Sequence, residues 1–465
     1  MGANPLGLLP EILLLAGAVA GLAAGTFAPR ERQGIVAWIC GAALVAALGA
    51  TAAAAGGPSG MSFAVYASDA LTDVTRGTVS ATTLLVIVLA RGWVRNDRRE
   101  TEVYVLILLA ALGTIILAGA GDLLVFVAAY TLASVPAYAL AGFGKDAHGT
   151  EAALKYYLMG AFLGVLMLAG VTLLYGLSGA TDYLPMGERL AYVPGAAVTC
   201  AAVLLLAGVL FKAGAVPAHF WIPDVAQGAS PVIAAFVTTV PKIGAFVALY
   251  RMAAEIFAGV GSHWSAIIVI LATATMTLGN LAAFHQDNVR RLLAYSTVSQ
   301  AGYLLVPVAV AGHGGLARTA VLFYVAGYAI TNLGAFAVVV ATRRDTLADY
   351  SGLARRSPGL ALALVVCLLG LVGTPPTAVF IGKVLVLTAA WDAGYGWLAV
   401  VVVVNTVASV FYYLRWIVPV FTRADVERPA GGEEAGEAAP TGIACLAAVI
   451  SVLLGCASGI VFALG

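Results

Sequence analysis

Four of the five lysines in this 465-residue chain stand inside long apolar runs: Lys155, Lys212, Lys242 and Lys383. The arginines sit instead at the ends of such runs or in the polar connections. The segregation has a chemical reading. Arginine keeps its proton in a protein, whereas a buried lysine can release one. A charge near the centre of a bilayer costs at least about 2.5–3.5 kcal/mol on insertion scales. A group placed there at that cost, and able to let go of a proton, is a candidate member of a proton relay. Lys212, Lys242 and Lys383 have apolar residues on both sides. Lys155 lies near the start of its run, where snorkelling to the interface is the competing reading.

Two of these lysines lie near prolines. One stretch reads Phe211-Lys212-Ala213-Gly214-Ala215-Val216-Pro217-Ala218-His219-Phe220-Trp221; the other contains Gly373-Thr374-Pro375-Pro376 and then Phe380-Ile381-Gly382-Lys383. Proline interrupts a helix and frees a carbonyl. At membrane depth such a break is tolerated where protein or water covers it. His219, two residues after Pro217, is a second group able to pass a proton; an interfacial histidine is the alternative. Asp224 and Asp287 fall in short connections and read best as helix caps. Tyr295, Ser296, Ser299, Gln300 and Tyr303 give one span a run of hydroxyls and an amide, which could hold water or bond between helices.

The elements that carry these groups must be membrane helices. Apolar residues make up 62% of the chain and charged residues 10%, against about 25% charged in soluble proteins, and the mean hydropathy is +0.98. A soluble enzyme, a disordered chain and a disulfide scaffold are excluded. The five cysteines all lie in apolar stretches with no CxxC pair, which supports neither a zinc nor an iron–sulfur site. A net charge of +1 gives no argument for nucleic acid. Runs of about 20 apolar residues predict fourteen spans, near 5–27, 34–54, 77–94, 103–119, 123–143, 153–177, 195–216, 232–257, 263–284, 291–311, 317–341, 359–390, 396–421 and 441–464. The first is read as a retained span rather than a cleaved signal. Setting aside the four lysines above, twenty basic residues remain, and with the N-terminus outside, sixteen of them fall on the inner side. Arg76, Arg189, Arg251 and Arg318 are the outer four. The positive-inside rule thus places both termini outside.

The breaks fall in the seventh and twelfth spans. Corresponding breaks in two halves point to an ion pathway between inverted repeats. The expected organisation is an all-α polytopic membrane protein, a single transmembrane domain. It has three helices over 1–100, a first five-helix repeat over 101–257 and a second of opposite topology over 258–421. A polar connection over 422–440, with Glu433, Glu434 and Glu437, and a last helix over 441–465 complete it.

Taken as a set, the motifs resemble a known family. They are Leu8-Leu9-Pro10-Glu11-Ile12-Leu13-Leu14, Glu151 to Tyr157, Phe211 to Trp221 with Pro223-Asp224-Val225, and Pro241-Lys242. Gly279-Asn280-Leu281-Ala282-Ala283, Arg290 to Ser296, Thr331 to Phe336, and Pro375-Pro376-Thr377 with Phe380 to Lys383 follow. Over about residues 8–421 the chain resembles the antiporter-like membrane subunits of the proton-translocating NADH–quinone oxidoreductase, respiratory complex I. The opening Leu-Pro-Glu-Ile-Leu and the lysine after Phe-Ile-Gly favour its subunit N. The resemblance implies that Lys212 is the central lysine of the first half-channel, Lys242 the connecting one and Lys383 that of the second. It implies a translocase subunit whose partners are other membrane subunits, including sister antiporter-like subunits, in the cell membrane. It also implies that NADH, flavin, iron–sulfur clusters and quinone are handled by those other subunits and that this chain holds no cofactor or metal.

One departure stands out. The family pattern Leu-Glu-Leu-Leu-Ser-Leu-Pro in the fifth span is matched by Tyr130-Thr131-Leu132-Ala133-Ser134-Val135-Pro136. Thr131 stands where the family has the glutamate that partners the first lysine. Three readings follow: a proton-translocating complex I subunit, a subunit of a multisubunit cation/proton antiporter, or a divergent structural paralogue. A glutamate at position 131 is expected to restore the partner of Lys212 if the fifth span faces that lysine there.

Overall fold

The apolar runs form helices in the computed structural model, which describes residues 5–55, 60–62, 65–95, 97–260, 263–313, 315–422, 438–457 and 459. The first half contains α1 (Leu9–Phe27), α2 (Ile35–Ala54), α3 (Ala70–Val94), α4 (Glu100–Gly119), α5 (Leu123–Ala141), α6 (Ala147–Ser178), α7 (Tyr183–Leu190), α8 (Gly195–Ala213), α9 (Trp221–Gly228) and α10 (Pro231–Met252). The second contains α11 (Trp264–Ala283), α12 (Val289–Ala309), α13 (Leu316–Thr342), α14 (Leu353–Arg356), α15 (Pro358–Val372), α16 (Ala378–Asp392), α17 (Gly396–Phe421) and α18 (Ala438–Cys456). Thirteen helices among the described residues are long and apolar enough to cross a membrane. The predicted span over 359–390 is the pair α15 and α16, each 15 residues long. The expected Glu433, Glu434 and Glu437 connection lies outside the described residues.

Several helices begin earlier than hydropathy suggests, because caps rather than apolar runs set their starts. Asp69 accepts from the Thr72 amide at 3.0 Å and starts α3 seven residues before the predicted 77. Asp146 does the same for α6 through the Gly149 amide at 2.6 Å. A side-chain oxygen that satisfies an orphan amide is a strong start signal. Asp224 and Asp287, expected as caps, are instead held in ion pairs: Asp224 with Lys155 (2.9 Å) and Arg291 (3.0 Å), Asp287 with Arg415 (2.8 Å). Burial works to raise the Asp224 carboxyl, but hydrogen bonds from Lys155 and Arg291 outweigh it and hold the group below its ordinary value.

The inverted repeat has a hydrogen-bond signature. Asp122 caps α5, accepting from the amides of Leu124 (2.7 Å) and Val125 (3.0 Å). It pairs in an antiparallel bridge with Asp182, just beyond α6, through Leu123 N–H to Thr181 O (3.0 Å) and Tyr183 N–H to Gly121 O (2.9 Å). Asn288 caps α12 in the same way, accepting from the amides of Arg290 and Arg291. It bridges Thr346, just beyond α13, through Val289 N–H to Asp345 O (2.8 Å) and Leu347 N–H to Asp287 O (3.0 Å). The two copies lie five crossings apart, an odd number, so they run in opposite senses. α10 is buried along its whole length, and α12 and α13 nearly so. These three form the shared centre, while α6 and α17 are peripheral.

Arg76 and Arg251, counted with the outer side by loop charge, are inside helices and buried. Arg76, 1% exposed, donates to Glu11 (2.7 and 2.9 Å), Asp73 (2.9 Å) and the Gly7 carbonyl (2.7 Å), and Tyr66 adds a 2.6 Å bond to Glu11. Arg251 joins Asp69, Glu255 and the Ala118 carbonyl. Fully used donors allow burial of a guanidinium that hydropathy places outside. Together the clusters tie α1, α3, α4 and α10 at one end of the fold. Removing one partner of a buried pair costs about 3–5 kcal/mol, whereas apolar replacement of both is nearly neutral. Arg76→Met is therefore expected to lower the level and thermal stability of the protein in membranes more than the double variant Glu11→Leu/Arg76→Met. A double variant at least as damaged as the single one would show that the pair is not what holds α1 to α3.

Candidate functional site

Both broken crossings are stopped by glycine, with the prolines following in the linker. α8 ends at Ala213, and Gly214 (φ +72°) takes the left-handed conformation; α15 ends at Val372, and Gly373 (φ +86°) does the same. A left-handed glycine with proline shortly beyond is a common helix terminator. The chain resumes as α9 at Trp221 and as α16 at Ala378. Pro241, directly before Lys242, lies inside α10 without ending it.

The three lysines gather at these breaks, each 2–3% exposed. Lys212, the penultimate residue of α8, donates to the Ser134 hydroxyl of α5, and its Nζ stands 5.0 Å from the centre of the Tyr130 ring. Lys242 of α10 lies against the first break: a Cβ at Gly214 would be 2.5 Å from its Nζ, which has no hydrogen-bond partner among the described residues. Lys383 of α16 crosses the second break, donating to the Val372 carbonyl at 2.8 Å, with Nζ 4.1 Å from the centre of the Tyr303 ring. A Cβ at Gly373 would lie 2.8 Å from the Lys383 Cδ. Each left-handed glycine thus leaves the space that a lysine side chain fills. Among the described residues none of the three lysines pairs with a carboxylate; Lys212 meets a hydroxyl and an aromatic face, and Lys383 a carbonyl and an aromatic face.

Buried polar side chains occupy the interior between Lys242 and Lys383. Tyr328 donates to the Thr238 carbonyl (2.8 Å) and to the Thr297 hydroxyl (3.1 Å); Asn332 donates to Thr239 (2.8 Å). Gln300 donates to the Leu371 carbonyl at the second break (2.8 Å) and accepts from Tyr324 (2.5 Å). Ser296 bonds Tyr413, and Tyr412 donates to Asn280 (3.2 Å). Ser299 Oγ and Asn332 Oδ1 are buried without a partner among the described residues, so they keep free valences for water.

The remaining predicted site residues fall elsewhere. Lys155 is not intramembrane: its side chain is about half exposed and pairs with Glu151 (2.8 Å) and Asp224 (2.9 Å). Glu151, one turn back on α6, and Asp224 of α9 hold its ammonium at the surface, which explains the difference. His219 lies in the first break, packed on Phe220, with Nδ1 buried and without a partner among the described residues. Tyr295 is only partly buried. Thr131 is exposed on the surface of α5, its hydroxyl committed to the Val127 carbonyl at 3.0 Å. The groups of α5 that meet Lys212 are the neighbours Tyr130 and Ser134, so the helix faces the lysine but not through position 131. Sequence reading did not single out Ser134, Tyr324, Tyr328 or the two glycines. Their signal was the spacing of polar residues by four, as in Tyr130/Ser134 and Tyr324/Tyr328.

Residues 120–409 match the family described as NADH:quinone oxidoreductase/Mrp antiporter, transmembrane. The chain is 52% identical to NADH-quinone oxidoreductase subunit N 1 of Streptomyces griseus, across 99% of this chain and 98% of that one. It is 50% identical to NADH-quinone oxidoreductase subunit N of a Mycobacterium species over the same shares. Among solved structures, a chain in respiratory complex I from Thermus thermophilus with bound aureothin superposes with a TM-score of 0.84 and is 32% identical, covering 97% of this chain and 98% of that one.

The glycine geometry is open to test. Gly214→Ala forces an L-residue into the left-handed region, at roughly 1–2 kcal/mol, and drives its Cβ into the Lys242 amine. It is expected to reduce proton movement by the assembled protein. Gly49→Ala, where a Cβ meets nothing within 4 Å, serves as control. Vesicles in which the two variants perform alike would mean that Lys242 does not lie against the break.

Proposed function

Since this chain belongs to the antiporter-like subunit family of NADH-quinone oxidoreductase, within subunit N, we propose that it moves protons across the cell membrane as one membrane-arm subunit of that complex, coupled to electron transfer from NADH to quinone. One observation carries the reading: three buried lysines, none paired with a carboxylate among the described residues, stand at or against the two helix breaks, in an interior that also holds buried hydroxyls and amides. A fixed ion pair holds its proton. A lysine against hydroxyls and carbonyls has only neutral partners to give up when the proton leaves. Lys212, Lys242 and Lys383 form the relay in this reading, with His219 as a further acceptor at the first break.

NADH, flavin, iron–sulfur clusters and quinone belong to other subunits in this proposal, and the chain's own part is proton transfer. Both termini lie on the outer side, as loop charge indicates; the end of the fold that carries Asp146 and Lys155 is then cytoplasmic. Neighbouring integral subunits, sister antiporter-like chains among them, cover parts of the exposed apolar faces of α6 and α17.

Lys383→Ala is expected to reduce NADH-driven proton uptake by inside-out vesicles strongly, measured per assembled complex, because it removes the titratable group at the second break. Lys212→Ala is expected to have a smaller effect. Unchanged uptake in both variants would leave a structural role. Uptake that follows sodium rather than protons would favour the cation/proton antiporter reading.

A further inference from the structure

One face of α5 carries hydroxyls on three successive turns, at Tyr130, Ser134 and Tyr138. Residues four apart lie on one side of a helix. Ser134 is buried; its Oγ donates to the Tyr130 carbonyl at 2.6 Å while accepting from Lys212. Tyr138 follows Ser134 one turn further along the same face of α5. Its ring is half-buried, edge-on against Tyr156 (4.6 Å between centroids) and Tyr157 (5.9 Å). Tyr157 is 53% exposed. The Tyr138 hydroxyl fills the space over Gly160, where a Cβ would collide with it. Hydroxyl-bearing side chains therefore run from the surface near the start of α6 to the buried amine of Lys212.

We propose that protons reach Lys212 along this face of α5, passing Tyr138 and then Ser134, with Ser134 as the direct donor to the lysine. The proposal rests on the reading of the chain as a proton carrier. Neutral Lys212 offers its lone pair to Ser134. The Ser134 hydroxyl turns from the Tyr130 carbonyl to Nζ and gives up its proton as its oxygen takes the Tyr138 proton. Tyr138 is refilled by a hydronium from solvent, which returns to water. The O–H bond of Ser134 breaks as the N–H bond of Lys212 forms. Each hydroxyl ends with the proton count it began with, so the sum is one proton moved from solvent to the amine. Ser134 already touches the lysine, whereas Thr131 is exposed and bonded within its own helix. In this chain hydroxyls on the facing turns take the part for which a carboxylate would otherwise be needed.

The test uses the complete complex in native inside-out vesicles, with proton uptake normalised to assembled complex. Ser134 acts only through Lys212, so Ser134→Ala is expected to slow uptake severalfold, no more than Lys212→Ala does, and Ser134→Thr, which keeps the hydroxyl, to retain most of it. Tyr138→Phe removes one oxygen and keeps the ring packing. It is expected to slow uptake severalfold and decides the matter if Ser134→Ala does not assemble. Wild-type uptake in Tyr138→Phe or Ser134→Ala, alongside loss in Lys212→Ala, would overturn the hydroxyl track and leave the proton-carrier reading standing. Wild-type uptake in Lys212→Ala would overturn the track by removing its acceptor, and wild-type uptake in both Lys212→Ala and Lys383→Ala would remove the reading on which it rests.

Discussion

A helix that ends inside a membrane leaves carbonyls with no water to receive them, and the architecture around the breaks is organised by that constraint. At the first break the Phe211 carbonyl is taken by the Trp221 indole N–H at 3.1 Å, and the Leu210 carbonyl by the amide of Ala215. At the second, Gln300 takes Leu371 and Lys383 takes Val372. Amides of each break's own turn (Gly214 and Ala215, Gly373 and Thr374) are joined by donors from the resumed helix or from a neighbour, so each break is closed by its turn and by packing together. This accounts for the burial of α12, which supplies Gln300 and the Tyr303 ring, and for the glycines, whose missing Cβ lets a lysine pass alongside.

The same constraint shapes the lysines. A buried ammonium needs acceptors, and carbonyls and hydroxyls are what the broken helices and their neighbours provide. Lys383 uses a carbonyl released by the break. Lys212 uses a serine on the adjacent helix, and Lys242 rests against the first left-handed glycine. Neutral partners hold a lysine loosely compared with a carboxylate, and this separates these three groups from Arg76 and Arg251. Those guanidiniums are locked among Glu11, Asp73, Asp69 and Glu255. Fixed charge serves as a clamp at one end of the fold, and exchangeable charge occupies its middle.

Two copies of one five-crossing unit, turned over relative to each other, place these features. Matching Asx caps and bridges at Asp122/Asp182 and Asn288/Thr346 fix where the second crossing of each unit starts relative to the end of the third. With those ends pinned, the fourth crossing of each unit is free to break within its length. The all-buried α10 belongs to the first unit but bonds through Thr238 and Thr239 to Tyr328 and Asn332 of the second. Polar contact across the seam makes the interior continuous.

The sequence by itself determined the membrane class, the number of crossings, the two breaks and the set of lysines inside apolar runs, from which only Lys155 had to be removed. Apolar run length and side-chain chemistry are local properties, and the bilayer tests them without regard to partners. The family resemblance also drew attention to Thr131, as the position where a glutamate was expected. What only the tertiary structure decided was facing. Hydropathy does not say which side of α5 meets α8, so Ser134 and Tyr130 passed unnoticed while Thr131, on the outer surface, drew attention. Nor does it separate a buried paired arginine from a loop arginine, or the exposed Lys155 from the buried Lys212, because pairing depends on residues remote in the chain: Glu11 for Arg76, Asp69 for Arg251 and Asp224 for Lys155. Hydrogen-bond geometry and burial arise between helices, and their order along the chain does not encode the rotation of one helix against the next.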